Sequence, residues 1–119
     1  MLHVKNLSEE DAALAMKDGE FPGRVIRESE KVAVILTQSW CPQWLFMRRW
    51  ITRKSAGEGH DVTVYLFVYD ESSLFHEFLT FKETVFDNDQ IPYIRYYKNG
   101  VCVATSNYVS QERFFELLQ

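Results

Sequence analysis

The stretch KVAVILT at 31–37 limits the fold more than any other part of this 119-residue chain. Five apolar residues run without a break through its middle and four of its members are β-branched, so neither face is left for water. That pattern marks a strand buried on both sides, inside an α/β sheet with helices packed above and below. VTVYLFVYD at 62–70 repeats the signal. Between the two lies a helix-length segment that begins with Pro42 and carries Phe46, Met47, Trp50 and Ile51 on one arc, reading as a helix to about Lys54. The soft stretch SAGEGHD closes it.

The other elements follow from their end signals. Ser8, followed by Glu9, Glu10 and Asp11, opens a helix that stops at Gly19. Phe21-Pro22-Gly23 is a break, and RVIRES beyond it reads as a short helix. Ser72 and Ser73 can cap a helix carrying Leu74, Phe75, Phe78, Leu79, Phe81, Val85 and Phe86. IPYIRYY and VCVATS flank Lys98-Asn99-Gly100 and make a hairpin, since Asn-Gly suits a tight turn. Ser110 caps a last helix with Phe114, Phe115, Leu117 and Leu118 on its buried face. Helix-linked strands imply parallel right-handed crossovers, and the hairpin adds an antiparallel pair. The expected architecture is a central mixed β-sheet flanked by helices on both faces, in one domain over 1–119, with 1–20 as an N-terminal helical extension.

The net charge of −4 provides no basic footprint for nucleic acid. Arg48, Arg49, Arg53 and Lys54 read instead as cations at the end of a helix, where the dipole favours them. No apolar run approaches the ~20 residues of a membrane span, and MLHVKNLSEED has no apolar signal core, which suggests a cytoplasmic protein. Two cysteines are too few for a disulfide framework. His3, His60 and His76 are scattered and read as surface residues, so no metal is expected. No cofactor is implied.

The order of a buried strand, Trp40-Cys41-Pro42 at a helix start, Ile91-Pro92, then YKNG and a capped final helix resembles the thioredoxin fold over about 21–119. Any one of these motifs is weak; their order and spacing carry the likeness. The resemblance implies that Cys41 is the nucleophilic cysteine and that Pro92 is the cis-proline opposite it. It also implies that Trp40, Pro42, Ile91 and Pro92 shape a groove for extended substrate backbone. Partners would be protein thiols or disulfides and an external thiol reductant. The departures are as informative. Redox members of the family carry CxxC, and Trp44 occupies the second cysteine position. Thioredoxins proper also have a buried aspartate six residues before the first cysteine, and Ile35 stands there. The glutathione signature of the glutaredoxins is not visible in ATSNYVS.

Even without the family, Cys41 stands where a thiol is activated. Pro42 suits the first helical position, so Cys41 becomes the N-cap, facing unpaired amide donors and the positive helix end. Both stabilise a thiolate. Cys102 cannot act as the resolving thiol: four or five residues of strand set it roughly 13–17 Å from the site, while a disulfide needs Cα atoms within about 7 Å. It reads as a structural sheet cysteine, Trp44 as packing beneath the site, and Tyr93, Arg95 and Tyr97 as sheet packing. Two functions remain open. One is thiol–disulfide exchange with a single active-site cysteine, Cys41, as a monothiol oxidoreductase. The other is a redox-inactive module that binds an extended peptide segment. An intermolecular Cys41 disulfide would give a third outcome, a redox-gated dimer.

Overall fold

In the computed structural model, which describes residues 2–52 and 61–119, the run at 31–37 is the middle strand of a five-stranded sheet. The strands are β1 (Leu2–Asn6), β2 (Lys31–Thr37), β3 (Val62–Val68), β4 (Tyr93–Lys98) and β5 (Val101–Ser106), in the spatial order β1-β3-β2-β4-β5. β2 runs parallel to β3 and antiparallel to β4, β1 is parallel to β3, and β5 is antiparallel to β4. The helices are α1 (Glu9–Asp18), α2 (Gly23–Ile26), α3 (Pro42–Ile51), α4 (Phe75–Thr84) and α5 (Gln111–Glu116). Among the described residues no helix is long and apolar enough to cross a membrane.

Alternate residues of β2 feed two separate cores, as the period of a strand requires. Ala33 and Ile35 pack with Trp44, Met47, Trp50 and Ile51 of α3 and with Phe114 of α5. Val32, Val34 and Leu36 pack on the other face with Ala12 and Ala15 of α1, Val25 and Ile26 of α2, and Phe78 and Phe81 of α4. Full burial of a side chain of this size contributes about 1.5–3 kcal/mol, so both layers bind to the sheet through the same strand. The hairpin turns at Asn99 and Gly100, both with positive φ (52° and 80°), the geometry that a two-residue turn of this hand needs.

The structure differs from the sequence reading in several places. Residues 1–20 are more than a helical extension: α1 forms as expected, capped by Ser8 and ended by Gly19, but Leu2–Asn6 precede it as a sheet strand. Only Leu2 of that strand is buried, so no apolar run announces it. β3 ends at Val68, and Tyr69–Glu71 form a 3₁₀ turn. Ser72 and Ser73 do not cap α4, whose N-cap is Leu74 with no side-chain bond. Their hydroxyls donate to Glu9 instead, and Ser72 Oγ accepts the Leu74 N–H at 3.0 Å within the preceding turn. Val85, expected within that helix, is its exposed C-cap. The helix in RVIRES is a single turn ending at Ile26. α3 ends at Ile51 with Arg48 and Arg49 in its last turn; Arg53, Lys54, His60 and most of SAGEGHD lie outside the described residues. His3 and His76 are exposed, as expected.

Candidate functional site

β2 delivers the chain at Thr37 to a bend at 38–40, where Gln38 and Ser39 are held from the 3₁₀ turn after β3 and Trp40 is held by Gln38. Ser39 gives its backbone N–H and its hydroxyl to the two carboxylate oxygens of Asp70, at 2.8 and 2.6 Å. Gln38 Nε2 donates to the Tyr69 hydroxyl at 3.3 Å, and Gln38 Oε1 accepts the Trp40 indole N–H at 2.6 Å. Trp40 is thereby fixed in an outward pose with 63% of its surface exposed. Burial pushes the Tyr69 phenol up, eased by the Gln38 bond and reinforced by the charges of Glu83, Asp70 and Cys41.

Cys41 is the N-cap of α3 and Pro42 its first residue, as the sequence implies. Its carbonyl accepts the Leu45 N–H at 3.0 Å. The side chain departs from expectation. It makes no bond to the free amides of the helix start, and its thiol donates to the Ile91 carbonyl oxygen at 3.7 Å. The residue is only 3% exposed, packed with Ile35, Trp44 and Met47 in the α3-side core. The sulfur is turned to a carbonyl acceptor instead of to the helix start, where Pro42 has already removed one of the amide donors.

The Ile91–Pro92 peptide bond is cis. Ile91 is half-buried and Pro92 buried, at the start of β4, where Tyr93 pairs with Leu36 of β2. Antiparallel pairing of β4 with β2 thus sets Ile91 and Pro92 beside the end of β2, opposite Cys41. Trp40-Cys41-Pro42 and Ile91-Pro92 are joined as one cluster by the bond from the Cys41 thiol to the Ile91 carbonyl, with Trp40 exposed and Cys41 and Pro92 buried. Trp44 and Ile35 are buried beneath it as apolar packing. Cys102 is excluded from it: half-buried on β5 opposite Tyr97, it packs in the α4-side core, across the sheet from Cys41. Both cysteines are free.

Several site residues carry no sequence signal. A cleft of about 300 Å³ beside Cys41 is lined by Pro42, Gln43, Phe46 and Tyr108. Phe46, placed on the apolar arc of α3 from sequence, is 59% exposed and meets Tyr108 edge-on at 6.4 Å between ring centres. The loop before Pro92 is gripped by Lys82, Asn88 and Asn107, none of them marked by a motif. Tyr93, Arg95 and Tyr97 do share a face as packing: Arg95 donates to both phenols and to Glu20, at 2.8–3.0 Å.

No protein-family model matches the sequence, and no curated protein matches it. Among solved structures the chain is similar to thioredoxin O1 from Arabidopsis thaliana in its oxidized state, with a TM-score of 0.66 and 20% identity over 97% of this chain and 94% of that one. It is also similar to the oxidised thioredoxin from Plasmodium falciparum (TM-score 0.57, 20% identity, 99% and 95% covered). Trxlp from Edwardsiella tarda gives a TM-score of 0.58 at 20% identity, with 97% of both chains covered. At that identity the likeness establishes the thioredoxin fold, a five-stranded mixed sheet with helices on both faces.

Proposed function

We propose that this thioredoxin-fold chain takes part in thiol–disulfide exchange through one sulfur, that of Cys41. The observation that carries the reading is the contact between the Cys41 thiol and the carbonyl of Ile91, next to cis Pro92 and beneath exposed Trp40. It puts the thiol where an extended segment lying over Trp40, Pro42, Ile91 and Pro92 would bring its own sulfur. Cys41 gives up its proton and attacks one sulfur of a partner disulfide. The Cys41–sulfur bond forms as the partner's S–S bond breaks, and the departing thiolate takes up a proton. The mixed disulfide is then cleared by an external thiol, which attacks the partner sulfur and releases Cys41. Trp44 offers no second thiol, and Cys102 lies across the sheet, so resolution is intermolecular. The partners are protein disulfides or thiols. The test is to mix reduced protein with a peptide disulfide and count adducts by intact mass. Wild type and Cys102→Ser form one adduct at residue 41; Cys41→Ser forms none. Equal trapping by Cys41→Ser overturns the proposal.

A second reading, a module that binds an extended segment without redox turnover, is favoured by one observation. The thiol is buried while Trp40, Leu45, Phe46 and Tyr108 are exposed around it. On that reading Cys41→Ala keeps partner affinity and Trp40→Ala loses about 2 kcal/mol or more, as a central aromatic anchor does. Affinity lost in Cys41→Ala and kept in Trp40→Ala would remove it.

A further inference from the structure

The carbonyls of residues 90, 91 and 92 each accept a hydrogen bond from a side chain, and each donor comes from a different part of the chain. Lys82 Nζ, on α4, donates to the Gln90 carbonyl at 2.7 Å and to the Asn88 carbonyl at 2.9 Å. Cys41 takes the carbonyl of Ile91. Asn107 Nδ2, just past β5, reaches the Pro92 carbonyl at 3.0 Å and the Gln90 carbonyl at 3.4 Å. Asn88 and Asn107 also exchange side-chain amide bonds at 3.1 and 3.2 Å, and Asn88 Oδ1 accepts the Gln90 N–H at 3.0 Å.

Lys82 is the unusual member. It is fully buried, and its hydrogen-bond partners are neutral oxygens of the 88–90 loop. Burying an ammonium without a contacting carboxylate costs several kcal/mol. Its head-group hydrogen bonds all go to the segment that leads into Ile91 and Pro92, and Glu83 and Asp89 add favourable charge nearby. Its ring contact, to Tyr93 at 5.5 Å, is with the first residue of β4 after that segment. The cation therefore acts on the approach to Pro92 from both ends.

We propose that Lys82 and Asn107 are positioning residues for the Cys41 site. By holding the carbonyls on either side of Ile91, they fix the one carbonyl on which the thiol rests, and so keep Cys41 closed beneath the loop. The positioning role builds on the assignment of Cys41 as the working sulfur, but its readout does not require exchange activity. Release of either grip frees the Ile91 carbonyl and opens the pocket over Cys41, leaving untouched Cys102, whose thiol is bonded within β5 to the Ala104 carbonyl.

The experiment is native-state alkylation by iodoacetamide at fixed pH, read separately at Cys41 and Cys102 by peptide mass spectrometry. It compares wild type, Lys82→Met and Asn107→Leu, each checked for a cooperative melt. In both variants Cys41 reacts about tenfold faster or more, as for a locally opened site, while Cys102 stays within about twofold of wild type. An unchanged Cys41 rate in a folded variant overturns the proposal. So does equal acceleration of both cysteines, which signals general loosening. If Lys82→Met does not fold, Asn107→Leu decides alone. Peptide-disulfide trapping by Cys41→Ser remains the separate measure of exchange: its persistence removes the exchange reading without touching the alkylation result.

Discussion

Raising the pH from 8 to 10 should stabilise the wild-type chain relative to Lys82→Met. Burial lowers the Lys82 ammonium from 10.5 to about 8, against the opposing pull of Glu83 and Asp89. In the unfolded chain the same lysine titrates near ~10.4. Below pH 8 both states carry the proton and the penalty for burying the cation is complete. Between pH 8 and 10 the unfolded chain still binds a proton that the folded chain has released. Stability therefore rises with pH. At about 1.36 kcal/mol per unit, two units give at most about 2.7 kcal/mol, and screening by water near the loop reduces this to roughly 1.5–2 kcal/mol. The window closes near pH 10 because the tyrosines act in the opposite sense. Burial pushes Tyr96 up to about 12 and raises Tyr97 further, so above pH 10 phenols ionise in the unfolded chain first and stability falls. Subtracting the variant cancels that contribution. Urea unfolding at pH 7, 8, 9 and 10 measures the difference, with Lys82→Gln as a second reference if the methionine variant does not fold. A wild-type advantage that stays constant from pH 7 to 10 would refute the reasoning.

Four substitutions test the scaffold and the site. Gly100→Ala puts a methyl 2.7 Å from Arg27 Nε at φ +80°, whereas Gly19→Ala at φ +82° meets open space; both lose about 1 kcal/mol to the left-handed conformation, and thermal melts should show the further loss at Gly100 alone. Glu20→Gln leaves Arg95 buried without its carboxylate and should cost about 2 kcal/mol in denaturant unfolding, below the range for a fully buried pair because Glu20 is partly exposed. Trp44→Cys, which writes CPQC into the sequence, should cost about 3–5 kcal/mol through the lost indole, yet form an internal disulfide with Cys41 that intact mass detects as a loss of two hydrogens. No such bridge under oxidation, in a folded variant, would count against Cys41 being reachable by any attacking sulfur.

What the sequence made readable, it made readable through runs and end signals. β2 matched its expected bounds because seven residues sharing two buried faces leave no other pattern. Pro42 and Ser110 marked helix starts, and Asn99-Gly100 marked the hairpin, because each is a local conformational requirement. β1 escaped because an edge strand with one buried residue has almost no apolar signature. At the site, the positions of Cys41 and Pro92 followed from the order of motifs. The direction of the thiol did not, since it depends on an acceptor 50 residues away. Asp70 and Lys82 were silent too. Asp70 reaches back 31 residues to Ser39, and Lys82 is indistinguishable in sequence from a surface lysine on a helix.

The ladder between β4 and β5 slips by one residue between Tyr96 and Tyr97, so that Tyr97 faces Cys102 while Tyr96 faces Ala104. That extra residue fixes what arrives at the end of the strand. With Ile94 level with Ser106, Asn107 comes level with Tyr93, close enough to reach the Pro92 carbonyl. Were the ladder regular, with Val103 opposite Tyr96, Ser106 would come to that place instead. A serine hydroxyl has one proton to give and a shorter arm, and could not serve two carbonyls and an asparagine together. In this chain, therefore, the closure of the thiol is counted out in residues along a distant edge strand. With the turn at Asn99 and Gly100 fixed, the residues from Val101 to Ser106 bring Asn107 level with Tyr93 only because Val103 bulges out of the ladder.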